Sequence, residues 1–445
     1  MRFVIFIVCL VSVSFSTAQN KMSSKIMTEE QRAIWVDSML EYRMEYVLPD
    51  LMRRSGIDMW VIISREYNED PIMKTMLPSS WISARRRTIM VFYDPGSGKS
   101  PEKVAIARYD VGRLLKGEWN IDVYPDQWEA LTNLVSKYKP KKIGINTSEH
   151  FGLADGLVAT EKDHFMAALP AEYRQNVVSA ENLAIGWLET RSNMELDFYK
   201  ELCALSRNII IQGFDPSFIE VGKTTTDDIV WRLRQIVTDL GLEVWFHPTV
   251  SIQREDKNNF EHLRSFSGRP KGDVVRYGDL LHVDFGITYN RLNTDQQQHF
   301  YVLKPGETTL PKSIEKAFAT SNRLQDILTE QFALTKSGND MLLNALKKAK
   351  DENITASIYT HPIGFHGHAA GPAIGMWDQQ GGVKGTGDYI LYPNTGYSIE
   401  LNAATEIPEW GKIIRIMLEE DGYFDGNTFH YFSGRQLNVY LLKIK

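Results

Sequence analysis

Apolar and polar residues alternate along one stretch in the second half of the chain, between positions 281 and 285. Successive side chains of a β-strand point to opposite faces, so the apolar residues Leu281, Val283 and Phe285 are predicted to face a core. His282 and Asp284 then share the opposite face. The pattern therefore predicts a strand that carries an imidazole and an acid side by side.

A second strand is predicted from Asp295 to Val302, after a polar turn region at residues 290–293. If the two strands pair in antiparallel fashion, Asp284 and Asp295 can point in the same direction. Two carboxylates on one face repel each other unless a cation lies between them. Two ordinary solvated acids are the alternative, and the pair by itself does not decide between these interpretations.

The first part of the chain alternates between helical and strand-like patterns. Thr28 is the predicted N-cap of a helix that extends to about residue 55. Apolar runs predict strands at residues 57–63, 88–93, 104–107 and 142–146. Helices and strands that alternate in this way, up to about residue 185, predict an α/β domain.

The second part begins with patterns of helical period. A helix predicted at residues 193–214 places Cys203 on an apolar face, which indicates packing rather than nucleophilic chemistry. The predicted domain boundary therefore lies near Thr190. Further helices are predicted at residues 225–241, 311–329 and 340–351.

Composition and charge narrow the class of protein. The chain has 445 residues, of which 43% are hydrophobic and 24% are charged, and these values suit a globular protein of two or three domains. The formal net charge is -6, and no basic stripe emerges beyond Arg85-Arg86-Arg87. Nucleic acid is therefore not expected as a partner.

The N-terminus has the pattern of a secretory signal sequence. Arg2 gives one positive charge, an apolar run follows, and a small-residue cleavage site ends at Ala18. Residues 1–18 are therefore predicted to be removed, and the mature protein is expected to be secreted or periplasmic. The apolar run is too short for a membrane span, and no other stretch approaches one. Cys9 would leave with this segment, so the mature chain keeps only Cys203 and cannot form an intramolecular disulfide.

Three further segments carry residues of the types that bind metal ions. Residues 361–368 form a glycine-punctuated stretch with three histidines. Glu400 lies within an apolar, strand-like run, and a strand predicted at residues 413–418 leads into the acidic run 419–421. Each segment alone has a plainer interpretation, namely a surface loop, an edge acid and a solvated turn.

Two aspartates, one histidine and two glutamates together form an oxygen-rich set with a single imidazole. Such a set suits a pair of divalent ions such as Mn, Co, Fe or Zn. Two ions bridged by carboxylates can activate a water molecule and polarise a carbonyl group, which is the chemistry of amide hydrolysis. Other hydrolase motifs are missing from the sequence, including His-Glu-x-x-His and Gly-x-Ser-x-Gly.

The order of these residues resembles that of the pita-bread metallopeptidases, which include methionine aminopeptidase, aminopeptidase P and prolidase. The resemblance covers about residues 190–435, and the preceding α/β part matches the additional N-terminal domain of the aminopeptidase P, prolidase and creatinase branch. It implies an α+β protein with a smaller α/β domain at residues 19–189 and a pita-bread catalytic domain at residues 190–445.

The resemblance also implies a role for each candidate residue. Five are expected as metal ligands: Asp284, Asp295, His361, Glu400 and Glu419. Glu420 is the alternative to Glu419 as the last ligand. Glu400 is also expected to shuttle a proton, and His368 to contact the substrate carbonyl. His262 and His247 are the candidates for the upstream histidine that helps to bind substrate in the family, and the role is assigned to His262.

The activity that the resemblance implies is that of an exported dinuclear-metal peptidase. Its substrates would be short proline-containing peptides, cleaved at the Xaa-Pro bond by an aminopeptidase or a dipeptidase. Two divalent ions are expected, with Mn favoured over Co, Zn or Fe, and relatives commonly form homo-oligomers. A creatinase-like amidinohydrolase is disfavoured because five candidate ligands are kept, whereas a catalytically silent binding protein on the same fold stays open.

Overall fold

The computed structural model describes residues 26–96, 98–256 and 272–444. The predicted signal segment and His262 lie outside the described residues. The described chain combines helices with several sheets, so the predicted α+β fold class is confirmed. The α-helices are Glu29–Tyr42, Leu48–Ser55, Pro71–Met76, Gln127–Tyr138, Ala159–Ala168, Ala171–Arg174, Glu181–Glu189, Asn193–Gly213, Thr226–Asp239, Lys312–Thr329 and Gly338–Asp351.

A six-stranded sheet lies in the first part of the chain. Its strands are β1 (Met59–Arg65), β2 (Arg87–Tyr93), β3 (Glu102–Ala105), β4 (Lys116–Gly117), β5 (Ile143–Ile145) and β6 (Val177–Ser179). They follow the order β4-β3-β2-β1-β5-β6, in which β1 is antiparallel to β2 and parallel to β5. Alternate residues of β1 pack into different apolar clusters, Trp60 and Ile62 in one and Val61 and Ile63 in the other, so both faces of the sheet are covered.

The central strand of this sheet begins two residues later than the apolar pattern predicts. Gly56 has a left-handed backbone with φ of 65° and ends the preceding helix. The amide of Ile57 still donates to the carbonyl oxygen of Met52, at 3.1 Å. Ile57 therefore closes the helix, and its apolar side chain does not belong to the strand.

Side-chain caps determine where several helices begin. Thr28 is the N-cap of the first helix, as predicted, and it also forms a reciprocal capping box with Gln31. The helix predicted from residue 340 starts at Gly338 instead, because Ser337 is its N-cap and forms a capping box with Asp340, the third residue of the helix. The acid at this position belongs to the first turn and does not precede the helix.

The described residues in the second part of the chain form four smaller sheets. Their strands are β7 (Glu243–Val244), β8 (Thr249–Gln253), β9 (Leu280–Phe285), β10 (Ile287–Tyr289), β11 (Leu292–Asn293), β12 (Gln296–Val302), β13 (Thr355–Ile358), β14 (His361–Pro362), β15 (Thr395–Ser398), β16 (Leu401–Ile407), β17 (Lys412–Leu418), β18 (Asp421–Phe424), β19 (Phe429–Tyr431) and β20 (Tyr440–Leu442). The sheet orders are β20-β12-β9-β8, β14-β15-β18-β19, β13-β16-β17 and β11-β10-β7.

The predicted antiparallel pair of strands is confirmed. β9 pairs with β12, and Asp284 lies opposite Gln297. Leu281 and Val283 are fully buried in the core, as the alternation predicts. However, His282 is only 2% exposed. The polar face of β9 is therefore an interior surface, which a strand pattern alone does not distinguish from a solvated face.

A buried ionic network lies beneath the histidine-containing segment. The carboxylate of Glu195 accepts hydrogen bonds from Arg43 at 2.7 Å and from Arg191 at 2.8 Å. The Arg191 guanidinium also lies over the ring of Phe365, and a β-carbon at Gly364 would approach it to 3.1 Å. The network therefore packs against the segment at Gly364 and Phe365 and holds it next to the helix that starts at residue 193.

Within the three described ranges, none of the helices is both long and apolar enough to cross a bilayer.

Candidate metal centre

The five predicted ligands and His368 lie in one cluster. In each of three groups, a ligand-type atom from every member lies within 4.8 Å of those of the other members. The groups are Asp284, Asp295 and Glu419; His361, Glu400 and Glu419; and Asp295, His361 and His368. Glu419 belongs to the first two groups, so these groups share one carboxylate. His262 lies outside the described residues.

The end of β9 and the start of β12 position the two aspartates. Asp284 is near the end of β9, and Asp295 directly precedes β12. The backbone amide of Asp295 donates to Asp421 Oδ2 at 3.0 Å, and its carbonyl oxygen accepts from Ser398 Oγ at 3.2 Å. These two contacts hold the backbone of Asp295 from both sides.

His361 presents one ring nitrogen to the carboxylates. It lies on β14, opposite Ser398 of β15. Its Nδ1 donates to the carbonyl oxygen of Pro362 at 3.0 Å, because a carbonyl oxygen only accepts. Nε2 is 3.4 Å from Glu419 Oε1 and 3.8 Å from Asp295 Oδ2. The hydrogen bond at Nδ1 therefore orients the ring so that Nε2 is the nitrogen available to bind a metal ion.

Glu400 lies at a break between strands. The sequence pattern predicts one strand through this acid, but β15 ends at Ser398 and β16 begins at Leu401. This prediction is wrong because β15 and β16 belong to different sheets, which requires the backbone to change partners at this point. The break leaves Glu400 half-buried and facing the cluster.

The structure distinguishes the two candidates for the last carboxylate. Glu419 accepts a hydrogen bond from Ser398 Oγ at 2.8 Å and lies in the cluster. Glu420 points the other way, where it forms an ion pair with Arg207 at 2.8 Å and accepts from Gln298 at 2.7 Å. Geometry therefore assigns Glu419, and not Glu420, to the candidate metal centre.

Electrostatics within the cluster favour a bound cation. Burial raises the pKa of Asp295 well above its usual range, and repulsion from Glu419 and Asp284 raises it further. The pKa of Glu400 is raised for the same reasons, in the same order. Several carboxylates in one desolvated space are unfavourable as anions, and divalent ions would supply the missing positive charge.

Two buried ligand atoms provide a separate test of whether metal ions fit. Among the described residues, His361 Nε2 and Asp295 Oδ1 have no hydrogen-bond partner. Buried polar atoms are nearly always paired, so both atoms indicate a further partner at this position. One imidazole with several carboxylates suits divalent ions of the Mn, Co, Fe and Zn type. The residues therefore fit the expected pair of ions.

His368 lies at the edge of the cluster and is partly open to solvent. Its ring is 4.7 Å from that of His361, measured between centroids. Burial, followed by the neighbouring His361, lowers the pKa of His368 to about 4. The ring is therefore neutral at pH 7, so it can donate a hydrogen bond from one nitrogen without adding a positive charge next to metal ions.

Sequence patterns did not indicate the role of Trp245. Its ring centroid is 5.3 Å from that of His368, and its Nε1 donates to the carbonyl oxygen of Thr294 at 2.8 Å. A β-carbon on Gly367 would lie 2.3 Å from the indole, and one on Gly286 would lie 2.2 Å from it. The indole of Trp245 fits here because both Gly286 and Gly367, which are far apart in sequence, lack a side chain.

Tyr359 was missed as well. Its ring lies 5.8 Å from that of His361 and 6.0 Å from that of His368. Burial raises the pKa of Tyr359, and the charge of Glu400 raises it further. The phenol of Tyr359 therefore stays protonated beside the two histidines.

No protein-family model matches the sequence, and no curated protein matches it. The fold, in contrast, is similar to that of solved peptidases. The X-Pro aminopeptidase from Thermotoga maritima is 16% identical with a TM-score of 0.60, and the match covers 88% of this chain and 99% of that one. The Xaa-Pro dipeptidase from Bacillus anthracis is 15% identical with a TM-score of 0.59, covering 92% and 100%.

A third similar structure is the prolidase from Pyrococcus furiosus, which is 12% identical with a TM-score of 0.55. The match covers 87% of this chain and 99% of the prolidase. The chain thus has the fold of the aminopeptidase P and prolidase structures over most of its length. The predicted pita-bread fold is confirmed.

Proposed function

We propose that this chain, which has the fold of Xaa-Pro peptidases, is a metal-dependent hydrolase of the Xaa-Pro bond in short peptides. The observation that carries the proposal is the pair of ligand groups that share Glu419. A shared carboxylate between two groups of ligand atoms is the arrangement that two adjacent ions require. The three solved relatives described above are named for Xaa-Pro or prolidase activity.

The two ions would be held by two sets of residues that share Glu419. Asp284, Asp295 and Glu419 would hold one, and His361 and Glu400 would hold the other together with Glu419. The oxygen-rich set favours Mn, with Co, Zn or Fe as alternatives. When bound, such ions supply an activated water molecule and polarise the scissile carbonyl group.

The chain's own residues would orient the substrate and move a proton. The neutral imidazole of His368 would hydrogen-bond the carbonyl oxygen of the peptide and steady the charge that develops there. Glu400 Oε1 already accepts from Gln297, so a proton in transit would be held at Oε2. Trp245, next to His368, would shield this side of the cluster from water.

Several finer features belong to the proposal. Removal of residues 1–18 and export to the periplasm or the exterior are proposed from the N-terminal pattern. A homo-oligomer is proposed from the resemblance alone. Aminopeptidase and dipeptidase specificity are both compatible with the named relatives, and the choice between them is a matter for the substrate assay.

The assay would use the mature chain from Gln19, stripped with a chelator and reloaded with Mn, Co or Zn. Paired substrates would be an Xaa-Pro dipeptide, an Xaa-Pro-Xaa tripeptide and their alanine counterparts. We expect metal-restored cleavage of the proline peptides, with the preferred length deciding between dipeptidase and aminopeptidase. Protein that binds two ions but cleaves neither proline peptide would overturn the proposed specificity. Protein that neither binds metal nor cleaves would favour a silent binding protein.

A further inference from the structure

One side chain of the cluster is neither a ligand nor a substrate contact, yet it touches two of the proposed ligands. Gln297 lies on β12, directly opposite Asp284, and is 4% exposed. Its Nε2 donates to Glu400 Oε1 at 2.9 Å and to Glu419 Oε2 at 2.8 Å. The amide group of Gln297 therefore links Glu419, which belongs to both ligand groups, to Glu400, which belongs only to the group with His361.

The orientation of this amide is fixed by the strands beside it. Gln297 Oε1 lies 2.8 Å from His282 Nε2, and His282 Nδ1 lies 3.3 Å from Ser251 Oγ. Ser251 is opposite His282 in the pairing of β8 with β9. The three side chains therefore form a row across three adjacent strands, and the row ends at the two glutamates.

Hydrogen-bonding capacity determines which way the amide of Gln297 faces. Ionised carboxylates only accept, so in the metal-loaded protein the NH2 group of Gln297 faces Glu400 and Glu419, and its oxygen faces His282. His282 Nε2 is then the donor to Gln297 Oε1, and Ser251 Oγ is the hydrogen-bond partner of Nδ1.

We propose that Gln297 is a positioning residue that sets the affinity of the subsite formed by His361, Glu400 and Glu419, and that His282 and Ser251 hold its amide in the required orientation. The inference rests on the proposed function, because it requires a metal ion at this subsite. Gln297 donates to one oxygen of each glutamate and so keeps the two mutually repelling carboxylates close together. The second oxygen of Glu400 does not take part in this contact. Groups that orient metal ligands in this way typically affect metal affinity by about 10- to 100-fold.

The test is a calorimetric titration of chelator-stripped protein with Mn²⁺, together with the visible spectrum of Co²⁺-loaded protein. Gln297→Met keeps the length of the side chain but removes both donors and the acceptor. We expect it to weaken one of the two ions by about 10- to 100-fold, change the Co²⁺ spectrum, and leave the other ion within about threefold. His282→Phe removes the contact that orients the amide of Gln297 but keeps the amide itself. We therefore expect a smaller loss of metal affinity at the same subsite.

The matched control is Gln298→Met, which removes the neighbouring amide of the same strand. Gln298 bonds Glu420 on the opposite face, so we expect both ion affinities to stay at the wild-type values. Equal affinities in wild type and Gln297→Met, or an equal loss in both methionine variants, would overturn the inference. If Gln297→Met does not fold, a His282→Phe protein with unchanged affinities would overturn it. Wild-type protein that binds no divalent ion would instead show that the proposed function is wrong.

Discussion

Glu419 and Glu420 are neighbours in the chain but point to opposite sides of the backbone between β17 and β18. Glu419 faces the metal-ligand cluster, where Ser398 and Gln297 donate to it. Glu420 faces Arg207, with which it forms an ion pair. Alternation along an extended backbone gives one glutamate a candidate catalytic role and the other a structural role.

This relationship predicts opposite effects for two equivalent substitutions. Glu419→Gln should abolish metal-dependent activity and reduce bound metal below two ions, because both ligand groups lose their shared carboxylate. Glu420→Gln should keep both ions but lower the free energy of unfolding by about 1–3 kcal/mol, because the Arg207 guanidinium loses a buried charged partner. Metal analysis and urea unfolding of both variants are the measurements. Normal metal content in Glu419→Gln would contradict the assignment.

Asp295→Asn should abolish activity and remove at least one ion while the fold is kept. Burial and neighbouring acids raise the pKa of Asp295, so its anion is unfavourable in the metal-free protein. We therefore expect the metal-free variant to unfold at a temperature no lower than that of metal-free wild type. Thermal unfolding in a chelator, with metal analysis of reloaded protein, measures both effects. A folded, fully active Asp295→Asn protein would exclude this site.

Gly367→Ala should impair turnover without removing metal. Its new methyl group would collide with Trp245, and the displaced indole would shift His368 from its place beside His361. A misplacement of about 1 Å can cost up to about 100-fold in kcat/KM. Gly381→Ala is the control, because a β-carbon at that position meets no atom within 4 Å. Equal activity in the two alanine variants would show that this contact does not position His368.

Acid stability should depend on His366. Burial, together with the charges of Lys74 and Arg191, lowers the pKa of His366 to about 4, whereas an unfolded histidine has a pKa of about 6.5. The native state thus binds fewer protons, so this contribution is complete above about pH 6.5 and is lost as the pH falls toward 4. Both proteins should lose stability when the pH falls from 7 to 5. The loss in His366→Gln should be about 1–2 kcal/mol smaller than the loss in wild type.

The measurement for His366 is urea unfolding of chelator-stripped wild type and variant at both pH values. Wild type and variant contain the same carboxylates. The titration of these carboxylates therefore cancels when the change in stability with pH is compared between the two proteins. An identical pH dependence in the two proteins would show that His366 is not held neutral.

Local patterns predicted the elements that local forces determine. The period-two alternation at residues 281–285 indicates a strand, and the acid that follows the next turn indicates its antiparallel partner. The helix predicted at residues 193–214 agrees with Asn193–Gly213, because Ser192 and Glu195 supply a capping box that can be recognised from four residues.

Contacts between distant segments could not be predicted in this way. Gln297 reaches Glu400 across 103 positions, and Trp245 depends on a missing side chain at Gly367. Neither contact leaves a periodic signal, since each depends on how separate sheets pack. The break at Glu400 was missed for the same reason: an apolar run does not reveal that the chain changes from one sheet to another.

The most direct test of two metal ions is a crystal structure of the Mn²⁺-loaded mature protein with diffraction data on both sides of the manganese absorption edge. A dinuclear centre would give two anomalous peaks, one among Asp284, Asp295 and Glu419 and one among His361, Glu400 and Glu419. No peak in this cluster, or a single peak that persists at saturating Mn²⁺, would contradict a dinuclear centre.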